Sequence, residues 1–196
     1  PEQLAGLARF AEMAFGAVGF GLPDIQLMHC DVPEWNHLDG LRIPEAAERV
    51  GMEPFEFYAR LTVASHRNAR VLNHTYSGDA GDEDALRAVL AHPLCTIETD
   101  TILTAQGHQN PASFGTFPRV LSTYMRAGLF SLEEAVRKMT GAAAERLGWS
   151  DRGFVRHGAA ADLVVFDPAR LRDTAGFEAP SREPEGIDHV LVNGTL

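Results

Sequence analysis

The chain has 196 residues, 45% of them hydrophobic and 22% charged, which is enough for one full core or for one domain with a small appendage. Its net charge of -10 leaves no basic stripe for nucleic acid and no attraction to an anionic membrane surface, so neither is expected as a partner. No apolar run approaches the roughly 20 residues that cross a bilayer, and the two cysteines, Cys30 and Cys95, are far apart in apolar segments. They are expected as free buried thiols, which suits a reducing cytoplasm. The chain begins at Pro1 with no signal-peptide pattern, and reads as a fragment or a processed piece.

Taken in order, Leu4, Leu7, Ala8, Ala11, Phe15 and Val18 recur at helical spacing and predict a first helix over about 2–20. Asp24 to Cys30 alternates as a short strand. His29 at its end is either a metal ligand or, the favoured reading, a buried histidine bonded to backbone. Asp31 to Gly40 is a loop in which Trp35 either lids a pocket or anchors its own loop. Pro44 and Pro54 open two helices, the first stopped by Gly51. Phe55, Tyr58, Leu61 and Thr62 supply the core face of the second.

Asn68 to Tyr76 is a strand candidate running into the turn Ser77-Gly78-Asp79. Asp82 is expected to cap a helix lined by Ala85, Leu86, Val89 and Leu90. Leu94 to Glu98 follows as another strand and ends in Asp100. Strand, helix, strand implies parallel strands with a right-handed crossover, placing His74 and Asp100 at one mouth. From spacing alone, Asp100 is better read as a turn or helix N-cap residue. Thr116 is expected to cap a helix opened by Pro118. Ser131-Leu-Glu-Glu134 is a capping box for a helix running through Leu147 to Gly148. Strands are then expected at 161–168 and 187–193, the latter ending in an Asn193-Gly194 hairpin turn whose partner would lie beyond Leu196.

Four stretches resemble one family. They are Phe114-Gly-Thr-Phe-Pro-Arg-Val-Leu121; Gly128-Leu-Phe-Ser-Leu-Glu-Glu-Ala-Val-Arg-Lys-Met-Thr140 with Arg146-Leu-Gly148; Asp151-Arg-Gly153 with Gly158-Ala-Ala-Ala-Asp162-Leu-Val-Val-Phe-Asp-Pro168; and Pro184-Glu-Gly-Ile-Asp-His-Val-Leu-Val-Asn-Gly194. Together they resemble the C-terminal half of the N-acyl-D-amino-acid deacylases (D-aminoacylases), metal-dependent members of the amidohydrolase superfamily. The resemblance implies an α/β fold: the last part of a (β/α)₈ TIM barrel over 1–158 and strands of a small β-domain over 159–196. It implies that Asp100 ends the last barrel strand, touches the metal and moves protons in hydrolysis. The substrate would be a small acylated amino acid, with Thr99 beside it; His108 either binds it or is a loop histidine packing near the mouth, and His74 either faces it or, the favoured reading, is a strand-end histidine bonded to backbone. The cofactor is zinc, whose other ligands are expected upstream, since no His-x-His occurs in this chain.

Two departures stand out. The family writes Gly-Ser-Asp-Gly where this chain has Glu98-Thr99-Asp100-Thr101, and His-Pro-Arg where it has His108-Gln-Asn-Pro111. About 250 residues build such a barrel, so the missing N-terminal portion or another chain is expected as partner, and a homo-oligomer is left open. The alternatives are another amidohydrolase acting on cyclic amides, or a non-catalytic subunit acting by association.

Overall fold

The computed structural model describes residues 2–17, 19–75 and 83–196, with side chains from residue 6 onward. The expected turn at Ser77-Gly78-Asp79 and the cap at Asp82 lie outside the described residues, as does Val18. The chain forms two compact units: residues 1–82 with 103–109, and residues 83–102 with 110–196. Among the described residues no helix is long and apolar enough to cross a membrane.

The first unit holds helices α1 (Glu2–Ala17), α2 (Ile43–Arg49) and α3 (Pro54–Ala64), and strands β1 (Ile25–His29) and β2 (Arg70–Asn73). Pro44 and Pro54 occupy first turns, where a missing amide hydrogen is no loss and a fixed φ helps. Gly51, at φ 68°, ends α2 in the left-handed conformation, and Met52 N donates back to Ala47 O at 3.0 Å. Helix α3 ends without glycine, on His66 and Arg67 at φ 51° and 68°.

Leu27, Leu38, Ile43, Phe57 and Leu61 form the heart of this unit's core, with Ala46 and Ala47 letting α2 approach closely. The face expected on α1 is only partly used. Phe15 packs on the core, stacked on Phe20 at 5.0 Å, while Leu7 and Phe10 are exposed. Trp35 anchors its loop by packing edge-on against Phe57 at 5.3 Å.

The expected parallel pairing is not present among the described residues. β1 and β2 are antiparallel, pairing Ile25 with Asn73 and Leu27 with Val71. Residues 94–98 alternate in exposure as a strand would, with Cys95 and Ile97 turned inward, yet no strand pairs with them among the described residues. A strand needs a neighbour's backbone groups, which local sequence does not reveal.

The second unit holds α4 (Glu83–Ala91), α5 (Ala112–Arg119), a π-helical turn (Val120–Met125), α6 (Leu132–Met139), α7 (Gly141–Leu147), and strands β3 (Leu163–Phe166) and β4 (Ile187–Leu191). The core face expected on α4 is exposed at Leu86 and Val89. Helix α5 begins at Ala112, where Asn110 Oδ1 accepts from Ala112 N at 2.9 Å, so Pro118 lies inside the helix and Thr116 does not cap it. Pro118 has no amide hydrogen to give the carbonyl four residues back, and the helix widens to π geometry directly after it.

Ser131 caps α6 as expected, its Oγ accepting from Glu134 N at 3.2 Å. Glu134 does not close the box; it grips Arg137 at 2.7 and 2.9 Å. The helix expected to run unbroken to Leu147 breaks at Thr140. There Gly141 meets the Phe154 ring, and a Cβ on Gly141 would lie 2.8 Å from it. Gly148 ends α7 at φ 72°.

β3 and β4 pair antiparallel. Val192 bridges to Thr195 across Asn193 and Gly194, both left-handed at φ 49° and 79°, so the hairpin turn expected to lack a partner makes its first pair. Asp162 of the Ala-Asp-Leu-Val motif holds this turn: its carboxylate accepts from Asn193 N at 2.8 Å and pairs with Arg152. The Asn193 amide first, and Arg152 second, keep its pKa below the usual carboxylate value.

Candidate active site

Asp100 terminates the unpaired 94–99 run in the second unit. Its φ is 26°, a left-handed value that Asp tolerates better than most residues but that still carries strain. The side chain is exposed and has no hydrogen-bond or ion-pair partner among the described residues. A carboxylate so placed can accept a proton or one bond to a cation. Thr99 beside it is half-buried, facing the opposite way along the period-2 alternation. Thr101 is not left-handed, so the conformational demand in this turn falls on Asp100.

His74 and His108 meet in the first unit, on one buried side chain neither motif nor spacing singled out, Gln26. The protons can be placed in sequence. Arg42 can only donate, so its guanidinium donates to His74 Nδ1 at 3.0 Å. His74 therefore carries its proton on Nε2 and donates to Gln26 Oε1 at 2.9 Å. Gln26 Nε2 donates to Gly40 O at 2.7 Å and lies 3.4 Å from His108 Nε2, which accepts. The proton of His108 is then on Nδ1.

Two glycines make room for His108. Gly107, at φ 73°, lets His108 N donate to Met28 O at 2.6 Å, and a Cβ on Gly107 would sit 2.4 Å from that same oxygen. A Cβ on Gly40 would lie 3.2 Å from His108 Nδ1.

Burial, and then the Arg42 charge, hold the His74 pKa below the ordinary 6.5, with Asp24 opposing and His108 adding slightly. His74 is thus neutral when folded but protonates readily when unfolded. The unfolded state binds more protons below pH 6.5, so stability is full above that value and falls as pH drops toward the folded-state pKa. Urea unfolding between pH 7.5 and 5 is expected to show this loss, and His74→Gln is expected to flatten it. An equal slope in both proteins would refute the assignment.

Among the described residues the His29 ring is bonded to a side chain and not to backbone. Its Nδ1 donates to Asp39 Oδ2 at 2.9 Å, while Asp39 Oδ1 accepts from Cys30 N at 3.1 Å. Cys30 is a buried free thiol whose pKa burial pushes up, which makes it unreactive. Cys95 is free but only half-buried.

Among the described residues no three His, Cys, Asp or Glu side chains gather as a metal site requires. Zinc takes three protein ligands in a catalytic site. Asp100 suits one of those positions by charge, oxygen donor and exposure; the described residues do not supply the rest. Gln26 and Arg42 were not found from sequence. The one trace of Gln26 is a lone polar residue inside the apolar run Ile25 to Met28.

Comparison with known proteins places these elements. Residues 109–196 match the family model described as "Amidohydrolase family". An N-acyl-D-aspartate deacylase of Alcaligenes xylosoxydans xylosoxydans is 46% identical over 114 residues, 58% of this chain and 23% of that protein. A D-aminoacylase crystal structure superposes with a TM-score of 0.73 at 36% identity, covering 87% of this chain and 34% of the other. An N-acyl-D-glutamate deacylase from Bordetella bronchiseptica, solved with zinc and a phosphonate mimic of the tetrahedral intermediate, gives 0.74 at 32% identity over 89% and 34%. The matched segment is similar to amidohydrolases, and the superposition extends the likeness of fold over most of the chain. The relatives it resembles are N-acyl-D-amino-acid deacylases (D-aminoacylases), over part of their length. The chain spans less than a quarter of the length of the curated relative.

Proposed function

We propose that the chain is part of a metal-dependent amidohydrolase that cleaves the amide bond of N-acyl-D-amino acids. The observation that carries this reading is Asp100: an exposed carboxylate, unengaged by the described residues, in a left-handed turn at the end of a strand-like run. The resemblance assigns this position the hydrolytic acid–base role. Residues 1–158 belong to the barrel and 159–196 to the small β-domain. The rest of the barrel, with the other zinc ligands, is supplied by protein beyond this chain. The exposed apolar side chains Leu86, Val89, Val164 and Val190 support such a covering.

Zinc, when bound, polarises the amide carbonyl and lowers the pKa of the attacking water toward 7. Asp100 takes a proton from that water on a carboxylate oxygen and passes it to the leaving nitrogen. The Asp100 Oδ atoms thus serve first as base and then, protonated, as acid. Thr99, beside Asp100, contacts the substrate. His74, with one ring nitrogen given to Arg42 and the other to Gln26, contributes by orienting Gln26. The reading places the enzyme in the cytoplasm.

The test is turnover by the complete zinc-loaded enzyme. N-acyl-D-aspartate, -glutamate and apolar N-acyl-D-amino acids are compared with their L-forms and with cyclic amides. Hydrolysis of any acyl-D-amino acid in preference to the cyclic amides is expected. No turnover of any of them would sink the proposal.

A further inference from the structure

The run leading to Asp100 has no ladder partner among the described residues, yet one residue of α6 fastens it at three points. Lys138 is fully buried. Its Nζ donates to His92 O at 2.5 Å and to Cys95 O at 3.2 Å, and lies 3.7 Å from Glu134 Oε1. Its own carbonyl accepts from Ile97 N at 3.1 Å. The neighbouring Arg137, held by Glu134, reaches Pro93 O at 3.4 Å. The side chain and backbone of one lysine thus replace the cross-strand hydrogen bonds that would otherwise set the path of residues 92–97.

Burying an ammonium is costly unless carbonyls and a carboxylate meet it, and a hydrophobic side chain of similar length would fill the same space more cheaply. Packing alone does not account for Lys138. What it adds is direction: two carbonyls three residues apart are drawn to one point, which fixes how the run advances toward Thr99 and Asp100.

We propose that Lys138 is a positioning residue for Asp100, setting where the carboxylate is presented. This rests on the reading of Asp100 as the acid–base group. Lys138 touches no reacting atom, so its effect passes through Asp100 alone.

The experiment is a double-substitution cycle in the complete zinc-loaded enzyme, with K138M, D100N and both together. Hydrogen exchange of residues 92–101 is followed alongside kcat and KM. K138M is expected to lower kcat about tenfold with KM little changed, and to speed exchange in 92–101 while α6 stays protected. In the D100N background K138M is expected to have no further effect on kcat. Equal losses in both backgrounds would show a general structural role and overturn the proposal, as would unchanged kcat and exchange in K138M. If D100N itself loses less than tenfold, the reading of Asp100 fails instead, whatever K138M does. K138Q, which keeps a donor nitrogen without the charge, carries the same test where K138M does not fold. Failure of both to fold overturns the proposal, because Lys138 would then determine the fold and not the placement of Asp100.

Discussion

Asp100→Asn is expected to lower kcat of the complete enzyme by at least about 10²-fold, the lower range for losing a general acid–base group. The structure makes this an unusually clean substitution. Asp100 is exposed and its carboxylate engages no described residue, so removing its charge breaks no structural hydrogen bond. The backbone sits at φ 26°, and Asn accepts left-handed conformations at least as readily as Asp. Folding stability should therefore stay within about 0.5 kcal/mol of the parent, as for an ordinary surface change. The lost ability to carry a proton then accounts for the rate. Asp100→Ala would be a poorer choice, since it forces an alanine into a left-handed turn and mixes strain with chemistry. A loss of less than tenfold in Asp100→Asn would mean that Asp100 is structural.

Features set by a few neighbouring residues were legible in the sequence. Pro44, Pro54, Ser131 and Gly148 each mark a helix end because the backbone groups their effect depends on lie within one turn. The same holds for Asn193-Gly194, whose two left-handed residues close a hairpin. What failed depended on distant partners. The 94–98 run has the alternation of a strand, but strand character needs a second chain segment beside it. The long helix after Ser131 breaks at Thr140, where a phenylalanine thirteen to fourteen residues onward presses on Gly141. Helix α5 hides a proline that local rules place at a helix start.

The candidate site divides in the same way. Asp100 could be picked out because a carboxylate ending an apolar run has a recognisable outline and the family motifs surround it. His74 and His108 could be named as chemistry-bearing types. That both converge on Gln26 could not be foreseen, since Gln26 precedes them by 48 and 82 positions. Lys138 is singled out by nothing in the sequence beyond its place in a family motif, whereas the structure buries it under the carbonyls of His92 and Cys95. The departure Thr101 is tolerated because the left-handed residue is Asp100 and not its successor.

Phe57→Ala is expected to destabilise the first unit by about 3–5 kcal/mol, the range for truncating a fully buried aromatic ring. Phe57 has no exposed surface, packs among Leu27, Leu38, Ile43 and Leu61, and takes the edge of Trp35 at 5.3 Å. The surrounding side chains come from β1, α2, α3 and the loop between Asp31 and Gly40, so no single element can collapse into the space left behind. Val63→Ala on the same helix is the control: Val63 is 76% exposed, and its loss should cost within about 0.5 kcal/mol. The two tryptophans allow the unit to be followed separately. Trp35 lies in the first unit against Phe57, whereas Trp149 lies in the second. In a Trp149→Phe background, fluorescence-detected urea unfolding reports on Trp35 alone, and the midpoint should fall in Phe57→Ala and hold in Val63→Ala. A cost below about 1 kcal/mol for Phe57→Ala, less than a typical buried-ring truncation, would mean that Trp35 and α2 close over the cavity. The loop anchored by Trp35 would then be pliable, and the position of Asp39, which holds His29 and Cys30, would change with it.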